Sequence, residues 1–297
     1  MKIINLNKYH SSLIFFLSVI FFFINLDLDY SLTPIICFFL IVTLGVSHGA
    51  LDNLKGLKLL KKFNIKNNLY FYLSYIILAL VVVALWSLLP AITLIVFLLI
   101  ASFHFGKEDN VFGYSKKIKF FNFFLFLKGS LVVSASIYFN FDEAAKIFQI
   151  LNVNISDIDD QIILIMVVLS LLSNFFISKN ILFSFLDSFS IILLNYTFDP
   201  LVAFTLYFCF LHSIRHTILL INEINKNNFN KGLTNFIKLA LPLTLITGII
   251  FVFSVYFLNL YYLLNSAILK VIFIGLASLT FPHILLEYLL EKNEKKS

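Results

Sequence analysis

Five of the six histidines in this 297-residue chain stand inside apolar runs: His48, His104, His212, His216 and His283. An imidazole in lipid surroundings is costly, so several of them together ask for a function. His212 and His216 are four residues apart and share one helix face, where both can reach a single metal ion. Asp52, Glu108 and Glu287 each follow a histidine (His48, His104 and His283) by four residues, and Asp109 comes directly after Glu108. A carboxylate so placed can hold an imidazole in the tautomer and rotamer that a metal requires. An all-imidazole donor set suits iron, zinc, copper or nickel and disfavours magnesium and calcium.

Plainer readings stand beside these. A lone histidine in a membrane helix is more often a helix-to-helix hydrogen-bonder than a ligand. Taken singly, Asp52, Glu108 and Glu287 read as interfacial charges. Arg215 reads as a partner for headgroups or a carboxylate, or as an anchor at the lip of a site. Asp187 reads as one half of some polar pair, and His10 as part of a polar amino-terminal stretch without a role. Ligation gains ground from number: four or five imidazoles gathered at one depth favour a metal or cofactor site over the bland reading.

The elements that position them are membrane helices. Hydrophobic residues make up 60% of the chain and charged ones 13%, with a mean hydropathy of +0.96. A soluble domain carries about 25% charged residues, because a globule needs a polar skin. The composition therefore implies an all-α, polytopic transmembrane bundle, a single domain over residues 1–297. Glycine (9) and proline (5) are too scarce for a disordered or loop-rich protein. Cys37 and Cys209 both lie in apolar runs, so neither a disulfide framework nor a thiolate metal site is indicated.

A span needs about 20 apolar residues. Candidates are 11–29, 33–50, 70–89, 91–105, 118–139, 161–177, 181–198, 200–221, 236–257 and 263–286, with the fourth, sixth and seventh short, hence eight to ten spans. Residues 11–26 lack a small-residue cleavage site after them and read as a span rather than a removable leader. The net charge of +6 does not point to nucleic acid, since the lysines sit in short loops between apolar runs. Lys55, Lys58, Lys61, Lys62 and Lys66, then Lys107, Lys116, Lys117 and Lys119, then Lys226 and Lys231 follow spans two, four and eight. Asp27, Asp29, the stretch Asp142 to Asp160, and Asp199 occupy the opposite loops. With ten spans all the lysine-rich loops share a side with both termini, which makes that side cytoplasmic and the protein a multi-pass protein of the plasma membrane. The five histidines then fall in the cytoplasmic halves of spans two, four, eight and ten, with the metal site at the cytoplasmic ends of the helices.

The HExxH pattern of membrane zinc proteases is absent, and membrane di-iron desaturases use many more histidines in HxxxH and HxxHH clusters. A mononuclear iron held by neutral imidazoles can keep a position open for dioxygen, and a site in the bilayer takes apolar substrates from lipid. Oxidation of a lipid-soluble molecule is the chemistry these residues suit.

Four segments carry a resemblance: Gly45-Val46-Ser47-His48-Gly49-Ala50-Leu51-Asp52, Phe103-His104-Phe105-Gly106-Lys107-Glu108-Asp109, His212-Ser213-Ile214-Arg215-His216 and Phe281-Pro282-His283. In order and spacing, over residues 45–283, the set resembles the Brp/Blh family of membrane β-carotene 15,15′-dioxygenases. The resemblance implies an iron(II) enzyme that splits the central double bond of β-carotene with dioxygen to give two retinals, which could supply a microbial rhodopsin in the same membrane. It implies His48, His104, His212 and His216 as iron ligands. His283, Asp52, Glu108, Asp109, Arg215 and Glu287 would stand behind them or near the substrate. Ser47 departs from the proline common in the family, and Asn53 from a common histidine. Trp86, Phe103, Phe105, Phe208 and Phe210 are candidate walls of a slot for the polyene, whose length would select the bond cleaved.

Two rival functions belong to other classes. A transporter or proton relay would use titrating histidines, but would spread polar groups through the membrane depth. A haem-binding electron carrier would use histidines as axial ligands and would show a Soret band. A scaffold gives no reason for the histidines to converge.

Overall fold

The structure is a computed structural model that describes residues 3–24, 32–113, 119–155 and 158–294; the side chains of His48 and Glu294 lie outside the described set, as do Asp27, Asp29, Lys116 and Lys117. The described residues are helical throughout their regular elements. Among the described residues, nine helices are long and apolar enough to cross a membrane, and Ile181–Thr197 is a shorter apolar helix of 17 residues. The ten expected spans correspond to these ten segments. The first begins earlier than expected: α1 runs Ile3–Ile24, so His10 lies on a helix rather than in a tail.

The second span is not one regular helix. α2 (Thr33–Leu40) passes into a π turn at Ile41–Gly45, then a 3-10 turn at Val46–Leu51, and resumes as α3 (Asp52–Lys62). α4 (Leu69–Leu88) and α5 (Pro90–Glu108) follow, then α6 (Phe121–Phe139). Proline starts α5, where its missing N–H costs nothing. The acidic stretch opens with a short amphipathic helix, α7 (Phe141–Ile150), and Asp159 caps α8 (Asp160–Ile177) by accepting from the Gln161 amide at 2.9 Å. α9 (Ile181–Thr197) leads to α10 (Pro200–Leu206), a second π turn at Tyr207–Ser213, and α11 (Ile214–Ile224). α12 (Phe229–Leu258) and α13 (Leu264–Glu294) complete the bundle.

Two close approaches set the geometry that matters. A Cβ on Gly106 of α5 would run into the Leu125 carbonyl of α6, and one on Gly129 of α6 would run into the Ser102 carbonyl of α5. Small residues let membrane helices meet backbone to backbone, and here they fix α5 just beside His104. A Cβ on Gly45 would meet the Phe208 ring at 2.6 Å, so the two π turns touch face to face. The core between them holds Ile41, Ala203, Cys209, Leu211 and Ile272, all fully buried. Both cysteines are free and buried.

Candidate metal centre

Two of the five histidines stand in irregular turns and three on regular helices. His48 lies in the 3-10 turn between α2 and α3, His104 in the last turns of α5, His212 inside the second π turn, His216 on α11, and His283 on α13 after Pro282. π turns inside helices shift side chains off the regular register and recur at functional sites.

Four of these imidazoles meet. The His104 ring centre lies 5.4 Å from that of His212 and 5.4 Å from that of His283, and His283 lies 6.1 Å from His216. Imidazoles that share one ion through bonds of about 2.1 Å place their ring centres roughly 3.2 Å from it, so no more than about 6.5 Å apart. The observed separations fall inside that limit. All four rings are buried.

Three carboxylates hold three of the rings. His212 Nδ1 donates to Asp109 Oδ1 at 3.0 Å, His216 Nδ1 to Glu108 Oε2 at 3.1 Å, and His283 Nδ1 to Asp52 at 2.9 Å. With Nδ1 so engaged, Nε2 is the nitrogen each ring offers to a metal. The arrangement differs from the expected one in its direction. Spacing along a helix suggested that each carboxylate serves the histidine four residues before it. Asp52 serves His283 of α13, and Glu108 and Asp109 serve α11 and its π turn, whereas Glu287 keeps to His283 of its own helix at 3.8 Å. The cause is the end of α5: with Glu108 as its last residue, the neighbouring carboxylates 108 and 109 project into the gap beside α11.

The carboxylates are positioned in turn. Tyr75 donates to Asp52 at 2.9 Å, and Tyr207 donates to Asp109 at 2.5 Å. Asp109 lies one residue beyond the α5 span. Burial alone would raise its pKa, but His212, Arg215 and Tyr207 hold it at about 2. Arg215 does not face headgroups. It is fully buried, paired through both terminal nitrogens with Asp187 at 2.9 Å, and donates to Ser11 at 2.8 Å and to the Asp109 carbonyl at 3.4 Å. A cavity of about 10 Å³ is bordered by Asp109, Lys128, Asp187 and Tyr207. At the rim, Lys55 pairs with Glu287 at 3.1 Å and Lys107 pairs with Glu291, tying α3 and α5 to α13.

Sequence reasoning overlooked Tyr75, Tyr207 and Lys55. Tyrosines in apolar runs carry no local signal, because lipid-facing ones such as Tyr256 look the same. Arg215 and Asp187 did carry one: the chain's only arginine and an in-span aspartate must neutralise each other. Of the candidate walls, Phe105 and Phe208 pack on His212 with ring centres at 4.9 and 5.8 Å. Phe103 and Phe210 are partly buried. Trp86 stands farther off. It is buried in a separate cluster and donates to the Leu151 carbonyl at 3.3 Å, eleven residues of α4, or roughly 16 Å, beyond Tyr75.

The donor set of nitrogens backed by carboxylates fits a borderline metal such as iron(II), and not a hard, oxygen-seeking cation. A model of the β-carotene 15,15′-dioxygenase family matches residues 39–291. A protein named β-carotene 15,15′-dioxygenase from uncultured marine bacterium 66A03 is 31% identical over 261 residues, which cover 83% of this chain and 90% of that protein. No solved structure matches the chain. The chain is a member of the β-carotene 15,15′-dioxygenase family.

Proposed function

We propose that this membrane protein cleaves the central double bond of β-carotene with dioxygen at an iron(II) held by His48, His104, His212 and His216, with His283 beside them. One carbon–carbon double bond breaks, two carbonyl bonds form, and both oxygen atoms of dioxygen enter the two retinals, so the reaction balances without a further reductant. The observation that carries the reading is the ring of imidazoles whose Nδ1 atoms are taken by carboxylates. Iron(II), when bound, supplies the one-electron chemistry that lets triplet dioxygen react with a closed-shell alkene.

The chain's own residues do the rest. Asp109, Glu108 and Asp52 hold three imidazoles in one tautomer and raise their basicity. Phe105 and Phe208, packed on His212, give an apolar wall against which a polyene can lie and from which water is excluded. Burial of His104, His212, His216 and His283 keeps the substrate's partners dry. By the positive-inside rule, the lysine-rich loops support a plasma-membrane protein with both termini and the site facing the cytoplasm. Retinal released there into lipid is available to an opsin in the same bilayer.

The test is expression in a bacterial strain that accumulates β-carotene, beside a His216→Ala variant, with pigments extracted. Loss of orange colour and appearance of retinal in the unaltered protein alone support the reading. Persistent β-carotene with protein present in the membrane overturns it. Growth under ¹⁸O₂ then tells whether both retinals carry the label. A reporter fused to the carboxyl terminus checks the orientation.

A further inference from the structure

Four carboxylates surround the imidazoles, and one behaves differently. Asp52, Glu108 and Asp109 each accept from an Nδ1, the nitrogen turned away from a ligand position. Glu287 instead approaches the other nitrogen: its Oε1 lies 3.8 Å from His283 Nε2. One oxygen of Glu287 also lies within 4.8 Å of ligand atoms of His104 and His283, and one within 4.8 Å of those of Glu108 and His216. Two atoms bound to one ion at about 2.1 Å each cannot be more than about 4.2 Å apart, and 3.8 Å satisfies that limit. Glu287 stands one helical turn after His283, so both side chains leave the same face of α13. Its hydrogen-bonding partner is Lys55 of α3 at 3.1 Å.

We infer that Glu287 binds the metal itself, adding a carboxylate oxygen to the histidine set, and that Lys55 competes for that oxygen. This rests on the iron reading above. A carboxylate shared between an ammonium and the metal is a weaker and more readily released ligand than an imidazole. The pair therefore sets how firmly one coordination position is held by the protein and how readily it becomes open. The negative charge also offsets part of the dication's charge in a buried site, where neutral imidazoles cannot.

The experiment compares purified full-length protein with E287Q, E287A and K55M, using anaerobic iron(II) titration against a competing chelator. The EPR line shape of the nitric oxide adduct provides a second readout, independent of turnover. E287Q keeps the shape of the side chain and an oxygen that can accept from Lys55, so it preserves the fold. Expected are a loss of iron affinity of about tenfold or more in E287Q and E287A, a changed nitrosyl spectrum, and affinity in K55M equal to or above the parent. If E287Q binds iron as the parent does with an unchanged spectrum, Glu287 serves only the ion pair and the inference fails. Equal weakening in K55M and E287Q also overturns it, because the pair and not the ligand would then matter. A parent chain that takes up no iron overturns the metal reading itself, a result distinct from either.

Discussion

Two segments that are both apolar enough to cross a membrane fare very differently. Phe229–Leu258, the α12 helix, runs thirty residues without a break despite Pro242, and 17% of its most apolar window is buried in protein. Pro200–Ile224 is 67% buried and is interrupted by the π turn that carries His212. A regular helix satisfies its own backbone and can face lipid. A broken one has carbonyls and amides that lipid cannot satisfy, so it must be enclosed. In Pro200–Ile224 enclosure and irregularity coincide, and His212 stands where they do. The lipid-facing helices supply the wall, and the enclosed ones supply the chemistry.

The comparison breaks if charge can be removed from the enclosed segment without consequence. Arg215→Met leaves Asp187 buried and uncompensated, which is expected to cost about 3–5 kcal/mol and to remove most folded protein in a thermal melt followed by size exclusion. Adding Asp187→Asn to that variant is expected to recover part of the loss. Lys238→Met, on the exposed side of α12, is expected to leave the melt unchanged. An Arg215→Met protein as stable as the parent would show that the enclosed segment is held by packing alone.

Glycines offer a second contrast. Gly106→Ala drives a methyl group into the Leu125 backbone, and α5 must move away from α6 with His104 on it. The expected cost is about 1–3 kcal/mol, with loss of bound iron. Gly248→Ala on α12 meets only the tip of the Val42 side chain at 3.1 Å, which can turn aside. Its melt is expected to match the parent within error. Equal effects at the two positions would mean that the α5–α6 contact has slack.

This division explains how much could be read beforehand. Span number and the depth of the histidines follow from hydropathy and loop lysines, which act along the chain. Asp109 and Glu108 were recognisable as partners for imidazoles, but not for which imidazoles. That depends on α5 ending at Glu108 beside α11, a relation between helices that spacing within one helix does not contain. The π turns were equally invisible, because the runs around Val42 and Phe208 are apolar enough for a regular helix.

Asp109→Asn sharpens the comparison within the enclosed part. It keeps the side chain's shape and an acceptor for His212, while removing the charge that also receives the Tyr207 hydroxyl. Iron affinity is expected to fall about ten- to a hundredfold with the melt little changed. Unchanged affinity would mean that the His212 ring is oriented by Phe105 and Phe208 and not by its carboxylate.

The smallest effect tests a helix that belongs to both classes. Like α12, α1 is regular, with 17% of its apolar window buried, and the family match begins only at residue 39, after it. Its inner face nevertheless holds Asn7 and Ser11, both fully buried, and His10. Ser11 accepts from Arg215, and His10 Nε2 donates at 2.8 Å to the Phe210 carbonyl inside the π turn. A π turn displaces carbonyls from their regular helical partners, and His10 supplies a donor to one of them. His10→Leu removes that donor and is expected to cost about 1 kcal/mol, the net worth of one hydrogen bond. His10→Gln, whose amide can reach the same oxygen, is expected to restore most of it. Restoration by glutamine but not leucine would make α1 part of the site's support although its composition is that of lipid-facing cladding. A leucine variant that melts with the parent would return α1 to the same class as α12 and leave the π turn to be held by the core around Cys209 and Leu211 alone.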